Sequence, residues 1–244
     1  MTDRSHEKHD MKKQTMLAYL DEILRINEQV NMTAITDRDE AIVKHLTDSL
    51  ACEELEAFKS AKTVIDVGSG GGFPGVPLAI AYPEKKFVLL DSLKKRMDIV
   101  AEICESLGIT NVQTIHGRAE DLARDAIHRD AYDLCVSRAV ANMRTLTELC
   151  LPFVKVGGTF VAYKGPDCGE EVASAAKEIE LLGGELEKIE AADGGRGEAA
   201  GVDPVESASI DPAISGHKLV VIRKIAPTPD RFPRRAGKPG KEPL

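Results

Sequence analysis

Apolar residues along this chain follow two rhythms. In "KKQTMLAYLDEILRINEQV", Met16, Leu20, Ile23, Leu24 and Val30 fall at helical spacing, the signature of an amphipathic helix. "DRDEAIVKHLTDSLACEELEAF" repeats the pattern with Ile42, Leu46, Leu50 and Leu55. Between them "NMTAITD" breaks the period and offers Thr36 or Asp37 as an N-cap, whose side-chain oxygen can accept from a free N–H of the first turn.

From Thr63 the rhythm changes. Short apolar runs read as strands: "TVIDV", "KFVLLD", "NVQTIH", "YDLCVS" and "GTFVAYK". Helical stretches separate or follow them at 77–82, 92–107, 120–126, 143–151 and 170–182. Such alternation predicts parallel strands joined by right-handed crossovers, with helices on both faces. The last two strand-like runs, "ELEKIEAA" and "KLVVIRKI", have only the Gly/Ala-rich 193–216 between them, which predicts an antiparallel pair and an unusually long connection. The expected organisation is a helical extension over 1–60, an α/β core over 61–226 and a basic segment over 227–244.

Composition narrows the function. With no Trp and 4% aromatic residues, stacking platforms for single-stranded nucleic acid are disfavoured. No apolar run reaches the roughly 18–20 residues of a membrane span, and the polar N-terminus does not resemble a secretory signal. Five scattered cysteines form no Cys-x-x-Cys pair and none lies near a His pair, so no metal site is expected and the reading is a reduced, cytoplasmic protein. The net charge is −8, yet the final residues from Arg223 hold seven Lys/Arg against Asp230 and Glu242. A basic tail on an acidic body can touch phosphate locally.

Candidate chemistry centres on "DVGSGGGFPG", where the first strand of the alternating region meets its helix. Open α/β sheets bind nucleotides at that place. A dinucleotide fingerprint requires a third glycine where this chain has Phe73. What fits is Asp-x-Gly-x-Gly-x-Gly at Asp66, Gly68, Gly70 and Gly72, which looks like the cofactor loop of class I S-adenosylmethionine-dependent methyltransferases. Asp91 ends the second strand and can accept hydrogen bonds from both ribose hydroxyls. After the third strand, Ala119-Glu120 stands where that fold faces adenine, although an acid there also suits a helix N-terminus. The fourth strand ends at Ser137-Arg138, on the acceptor side. No Asn/Asp-Pro-Pro-aromatic motif lies there, and no evident general base. An arginine suits an acceptor that has no proton to lose, such as N7 of guanine.

Seven motifs, in order, resemble one family. They are "NMTAI", "HLTDSL", "DVGSGGGFPGVPLAI", "LLDSLKKR", "RAED", "SRAV" and "FPRRAGKPGKEPL". The family is that of the bacterial small-subunit (16S) ribosomal RNA guanine-N7 methyltransferases (RsmG, glucose-inhibited division protein B). The resemblance implies a Rossmann-like, mostly parallel seven-stranded sheet and methylation of a guanine near the decoding centre. It also implies cofactor contacts from Gly68, Phe73, Ala119, Glu120 and Arg138, with Arg138 positioning the reactants. Asp66, Gly70 and Asp91 join that set on chemical grounds. Arg234, Arg235, Lys238 and Lys241 become candidates for ribosomal RNA phosphates. His45 and Asp48, one turn apart, read as a packing element between helix and sheet. A monomer without an obligate protein partner is expected. A nicotinamide dehydrogenase, a small-molecule methyltransferase and an assembly factor that keeps the pocket without turnover are the rival readings. The segment 193–216 is longer than the family pattern suggests.

Overall fold

The computed structural model of the protein describes residues 3–138, 140–192 and 216–244. One seven-stranded sheet organises them. Its strands are β1 (Thr63–Val67), β2 (Lys86–Asp91), β3 (Val112–His116), β4 (Tyr132–Arg138), β5 (Val154–Lys164), β6 (Gly184–Ala191) and β7 (Lys218–Lys224), in the spatial order β3-β2-β1-β4-β5-β7-β6. The first five are mutually parallel, and β7 runs antiparallel to both β5 and β6. The expected topology is the one observed. The chain leaves β1 toward β2 on one side and later returns to β4 on the other, which opens a crevice at the strands' C-terminal edge.

Burial follows the two-residue period of a pleated sheet. Val64, Leu134, Val136 and Val161 face one apolar cluster, while Ile65, Cys135, Phe160 and Ala162 face the other. The first cluster is completed by α1 (Asp3–Asn27), whose Met16, Tyr19, Leu20 and Ile23 are wholly buried. Each such side chain contributes roughly 1.5–3 kcal/mol. The N-terminal helix thus shares a core with the sheet.

The second predicted helix is real at its start and broken later. Asp37 caps α2 (Arg38–Ala41) by accepting the Glu40 N–H at 2.8 Å. A π-helical turn (Ile42–Thr47) and a 3-10 stretch (Leu50–Glu54) follow, and extended Leu55 separates them from α3 (Glu56–Ser60). No Gly or Pro marks these breaks, so the apolar period alone could not show them.

Further along lie α4 (Gly75–Ala81), α5 (Lys94–Ser106), α6 (Ala119–Leu122), α7 (Met143–Cys150), α8 (Gly169–Ser174), α9 (Ala176–Leu181) and α10 (Lys238–Lys241). The stretch expected as one helix over 170–182 is two, parted at Ala175. The long connection 193–216 lies outside the described residues except for Gly216. All five cysteines are free and buried. Among the described residues no helix is long and apolar enough to cross a membrane, and no cluster of three His, Cys, Asp or Glu could hold a metal.

Candidate active site

The glycine turn is held from below and from the side by two carboxylates. Asp66, fully buried, accepts the N–H of Gly75 at 2.9 Å and so fixes the start of α4. Its other oxygen has no hydrogen-bond partner, and burial pushes the carboxyl up to about 7. Asp91 accepts from Gly70 N–H at 3.0 Å through Oδ2 and from Leu93 N–H at 2.8 Å through Oδ1. Each oxygen retains a lone pair for a ligand.

The glycines do not all serve one purpose. Gly68 has φ +76°, and a Cβ there would stand 2.4 Å from a Val140 methyl. Gly72 has φ +84°, and a Cβ there would stand 2.2 Å from the Tyr19 hydroxyl, which donates to the Gly71 carbonyl at 2.9 Å. At Gly71 the nearest neighbour of a Cβ would be the Met32 carbonyl, at 3.2 Å. The far side of the turn therefore makes room for the N-terminal residues, while Gly68 makes room for Val140, itself on the cavity wall. Gly71 and Gly72 are explained by packing.

A cavity of about 550 Å³ opens beside the turn, lined by Gly68, Asp91, Ala119, Glu120, Thr145 and Lys241, among others. It gathers four of the expected cofactor residues. Asp66 and Gly70 belong to the scaffold beneath it rather than to its lining. Glu120 is 6% exposed and spends one oxygen on the N–H of Gly237, at 2.7 Å. That contribution of the C-terminal segment was not foreseen. Nothing in sequence spacing links two residues separated by 117 positions.

Phe73 and Arg138 do not line this cavity. They belong to an adjoining cluster, where Arg138 lines a second space of about 490 Å³ with Lys44, His45, Tyr163, Lys164 and His217. Arg138 donates to the Asp48 carboxylate at 2.8 Å, to the Lys44 carbonyl at 2.9 Å and to His45 Nδ1 at 3.1 Å. Its guanidinium lies 5.7 Å from the Phe73 ring centre, and His45 stacks on the same ring at 4.4 Å. The π-helical turn carries both Lys44 and His45 to Arg138, in keeping with the frequent placement of such turns at functional sites.

Because an arginine can only donate, His45 Nδ1 must accept, and Nε2–H then donates to Thr33 Oγ1 at 2.6 Å. Burial, reinforced by the Arg138 charge, lowers His45 to about 4 and keeps it neutral. Burial alone would raise Asp48, but the hydrogen bond from His217 and the charge of Arg138 hold it below the usual carboxylate range. His217 donates from Nδ1 to Asp48 at 2.7 Å and is raised chiefly by that bond.

The basic segment is not a free tail. Arg234 makes a two-pronged ion pair with Glu148, which is fully buried. Its charge is matched internally, which anchors the segment to α7. Arg235, Lys238 and Lys241 are exposed.

A glycine-rich turn after β1, a carboxylate at the end of β2 and a buried acid on α6, just after β3, fit the hydroxyl and amino donors of a nucleoside cofactor. With this strand order, these features define a class I methyltransferase dependent on S-adenosylmethionine. Solved structures agree on the fold. The fibrillarin pre-rRNA processing protein of Methanococcus jannaschii superposes with a TM-score of 0.52 at 13% identity, covering 76% of each chain. A SAM-dependent methyltransferase from Aquifex aeolicus gives 0.50 at 15% identity over 77% of this chain and 93% of its own. At the level of sequence, residues 12–198 match the GidB family model, described as rRNA small subunit methyltransferase G. Ribosomal RNA small subunit methyltransferase G of Clostridium novyi is 44% identical over 98% of this chain and 91% of its own length. The chain belongs to this family.

Proposed function

We propose that the protein transfers the methyl group of S-adenosylmethionine to N7 of one guanine in small-subunit (16S) ribosomal RNA. The observation that carries the choice of acceptor is the engagement of the groups around Arg138. His45 spends both ring nitrogens on Arg138 and Thr33, and Asp48 spends both oxygens on Arg138 and His217. Burial and the Arg138 charge keep His45 neutral, and Asp48 is held below the usual carboxylate range, so both are weak bases, which suits an acceptor whose lone pair is already available.

When bound, the cofactor supplies an electrophilic methyl on a sulfonium, and N7 takes it without losing a proton. The chain's task is then positioning and exclusion of water. In this reading Gly68 admits the methionyl part to the backbone, Asp91 accepts from the ribose hydroxyls, and Ala119 and Glu120 flank adenine. Asp66 and Gly70 hold the turn in shape. Arg138, over Phe73, braces the wall between cofactor and acceptor and acts as a positioning residue. Arg235, Lys238 and Lys241 offer cations to RNA phosphates, which orient the substrate without reading sequence. Methyl transfer from labelled S-adenosylmethionine to small subunits lacking the modification tests the reading, with the product mapped by N7-specific strand cleavage. A single N7-methylguanine is expected; methyl incorporation that gives no such cleavage would refute the choice of acceptor.

A further inference from the structure

We infer that segment 234–241 is itself part of the cofactor site, a fixed wall at the adenosyl end of the cavity, so that RNA held on its outer face strengthens cofactor binding. The inference rests on the methyltransferase reading above. Gly237, Gly240 and Lys241 line the same cavity as Gly68, Asp91 and Glu120. The N–H of Gly237 fixes the carboxylate of Glu120 at 2.7 Å, so the acid beside the adenine position takes its orientation from the C-terminal segment.

This wall is built rather than draped. Arg234 donates from backbone and side chain to Glu148 on α7. Thr145, on the same helix, donates its hydroxyl to the Pro239 carbonyl at 3.0 Å, and Pro239 is buried. Arg124 holds the Pro233 carbonyl at 2.6 Å, and Phe232 is packed into the second core cluster. Two prolines within 234–243 also limit what the unfolded chain can lose on ordering. Arg235, Lys238 and Lys241 are exposed on this anchored segment. Phosphates gripping them hold in place the same element whose inner side lines the cavity. Linkage then requires the effect to be reciprocal: cofactor must tighten RNA binding by the same factor.

Gly240→Phe gives a direct test. A Cβ at Gly240 meets nothing within 4 Å, so the fold tolerates the substitution while the ring crowds the cavity. Calorimetric titration of the full chain with S-adenosylhomocysteine should show binding weakened by about tenfold or more, with an unchanged Tm. In the unsubstituted chain, saturating S-adenosylhomocysteine should slow tryptic cleavage after Arg235 and Lys241. A small-subunit RNA should tighten S-adenosylhomocysteine binding. Unaltered affinity in the Gly240→Phe chain, or cleavage indifferent to ligand, would overturn the inference and leave the methyltransferase reading standing. Absence of any S-adenosylhomocysteine binding by the unsubstituted chain would overturn both.

Discussion

Arg138 and Asp48, 90 positions apart in the chain, meet at 2.8 Å with their side chains only 10% and 11% exposed. The pair ties the end of β4 to the helical N-terminus. Removing one partner of a buried pair strands the other charge. Asp48→Ala should therefore destabilise the protein by about 3–5 kcal/mol, read from the urea midpoint. Methyl transfer should fall as well, because Arg138 would no longer be held against Phe73.

His45 makes stability pH-dependent in a definite direction. The unfolded chain takes up its proton near 6.5, whereas the folded protein does so only near 4. Between those values the unfolded state binds more protons, so stability falls as pH falls, by at most about 1.4 kcal/mol per pH unit from this group. His217 has the opposite sign. Raised by Asp48, it stabilises below its ordinary value of 6.5 and loses that contribution as pH rises through its folded value. Tm measured across pH 4–8 should show a shallower acid limb for His45→Gln and a shallower neutral-to-alkaline limb for His217→Gln. Identical slopes in all three proteins would contradict the assignment.

Asp66 carries a cost at working pH. Its carboxyl is neutral in the folded state up to about 7, against an ordinary 3.8. Its contribution is complete below 3.8 and is lost as pH rises through 7. Asp66→Asn keeps the acceptor for Gly75 N–H and cannot ionise, so its stability relative to the parent should improve from pH 5 to about pH 7 and level off above it.

The turn tests how far glycine reports on ligand. Gly72→Ala places a methyl 2.2 Å from the Tyr19 hydroxyl at a backbone φ of +84°. The expected loss is about 2–4 kcal/mol, from left-handed strain and overpacking together. Tyr19→Phe removes the clashing oxygen, so the double variant should recover part of that loss. A double-mutant cycle on thermal or urea unfolding should then show coupling of about 1 kcal/mol. Strictly additive losses would mean that the crowding lies elsewhere.

How much of this was legible beforehand depended on whether a signal is local. Strands such as 63–67 and 86–91 stood out because a short buried run between turn residues has few other readings. Gly68, Asp91, Ala119 and Glu120 line one cavity because each terminates or follows a parallel strand, and those ends meet at one edge. His45 and Asp48 are legible as joining helix and sheet, but their convergence on Arg138 is not, since Lys44 and His45 sit on the π-helical turn, Asp48 just after it, and His217, which bonds Asp48, just before β7. Those pairings are set by how helix and sheet pack, which no spacing encodes. Charge alone does not separate two neighbours. Arg234 and Arg235 are adjacent and chemically alike, yet only Arg234 has a buried carboxylate to meet.

That difference between neighbours gives the last prediction. Replacing Arg235, Lys238 and Lys241 together by Ala should leave the unfolding midpoint nearly unchanged, because all three are exposed and surface charges contribute little to stability. It should weaken RNA binding and flatten its dependence on salt, by about 0.7–0.9 in log–log slope for each phosphate no longer neutralised. Arg234→Ala should behave in the opposite way. It leaves Glu148 buried without its partner, so the unfolding midpoint drops and the segment loosens, while the salt slope changes less than in the triple variant. RNA binding measured by filter retention across a salt series, beside urea unfolding of both proteins, separates the two outcomes. A flattened salt dependence in Arg234→Ala with full stability would return that arginine to the RNA surface.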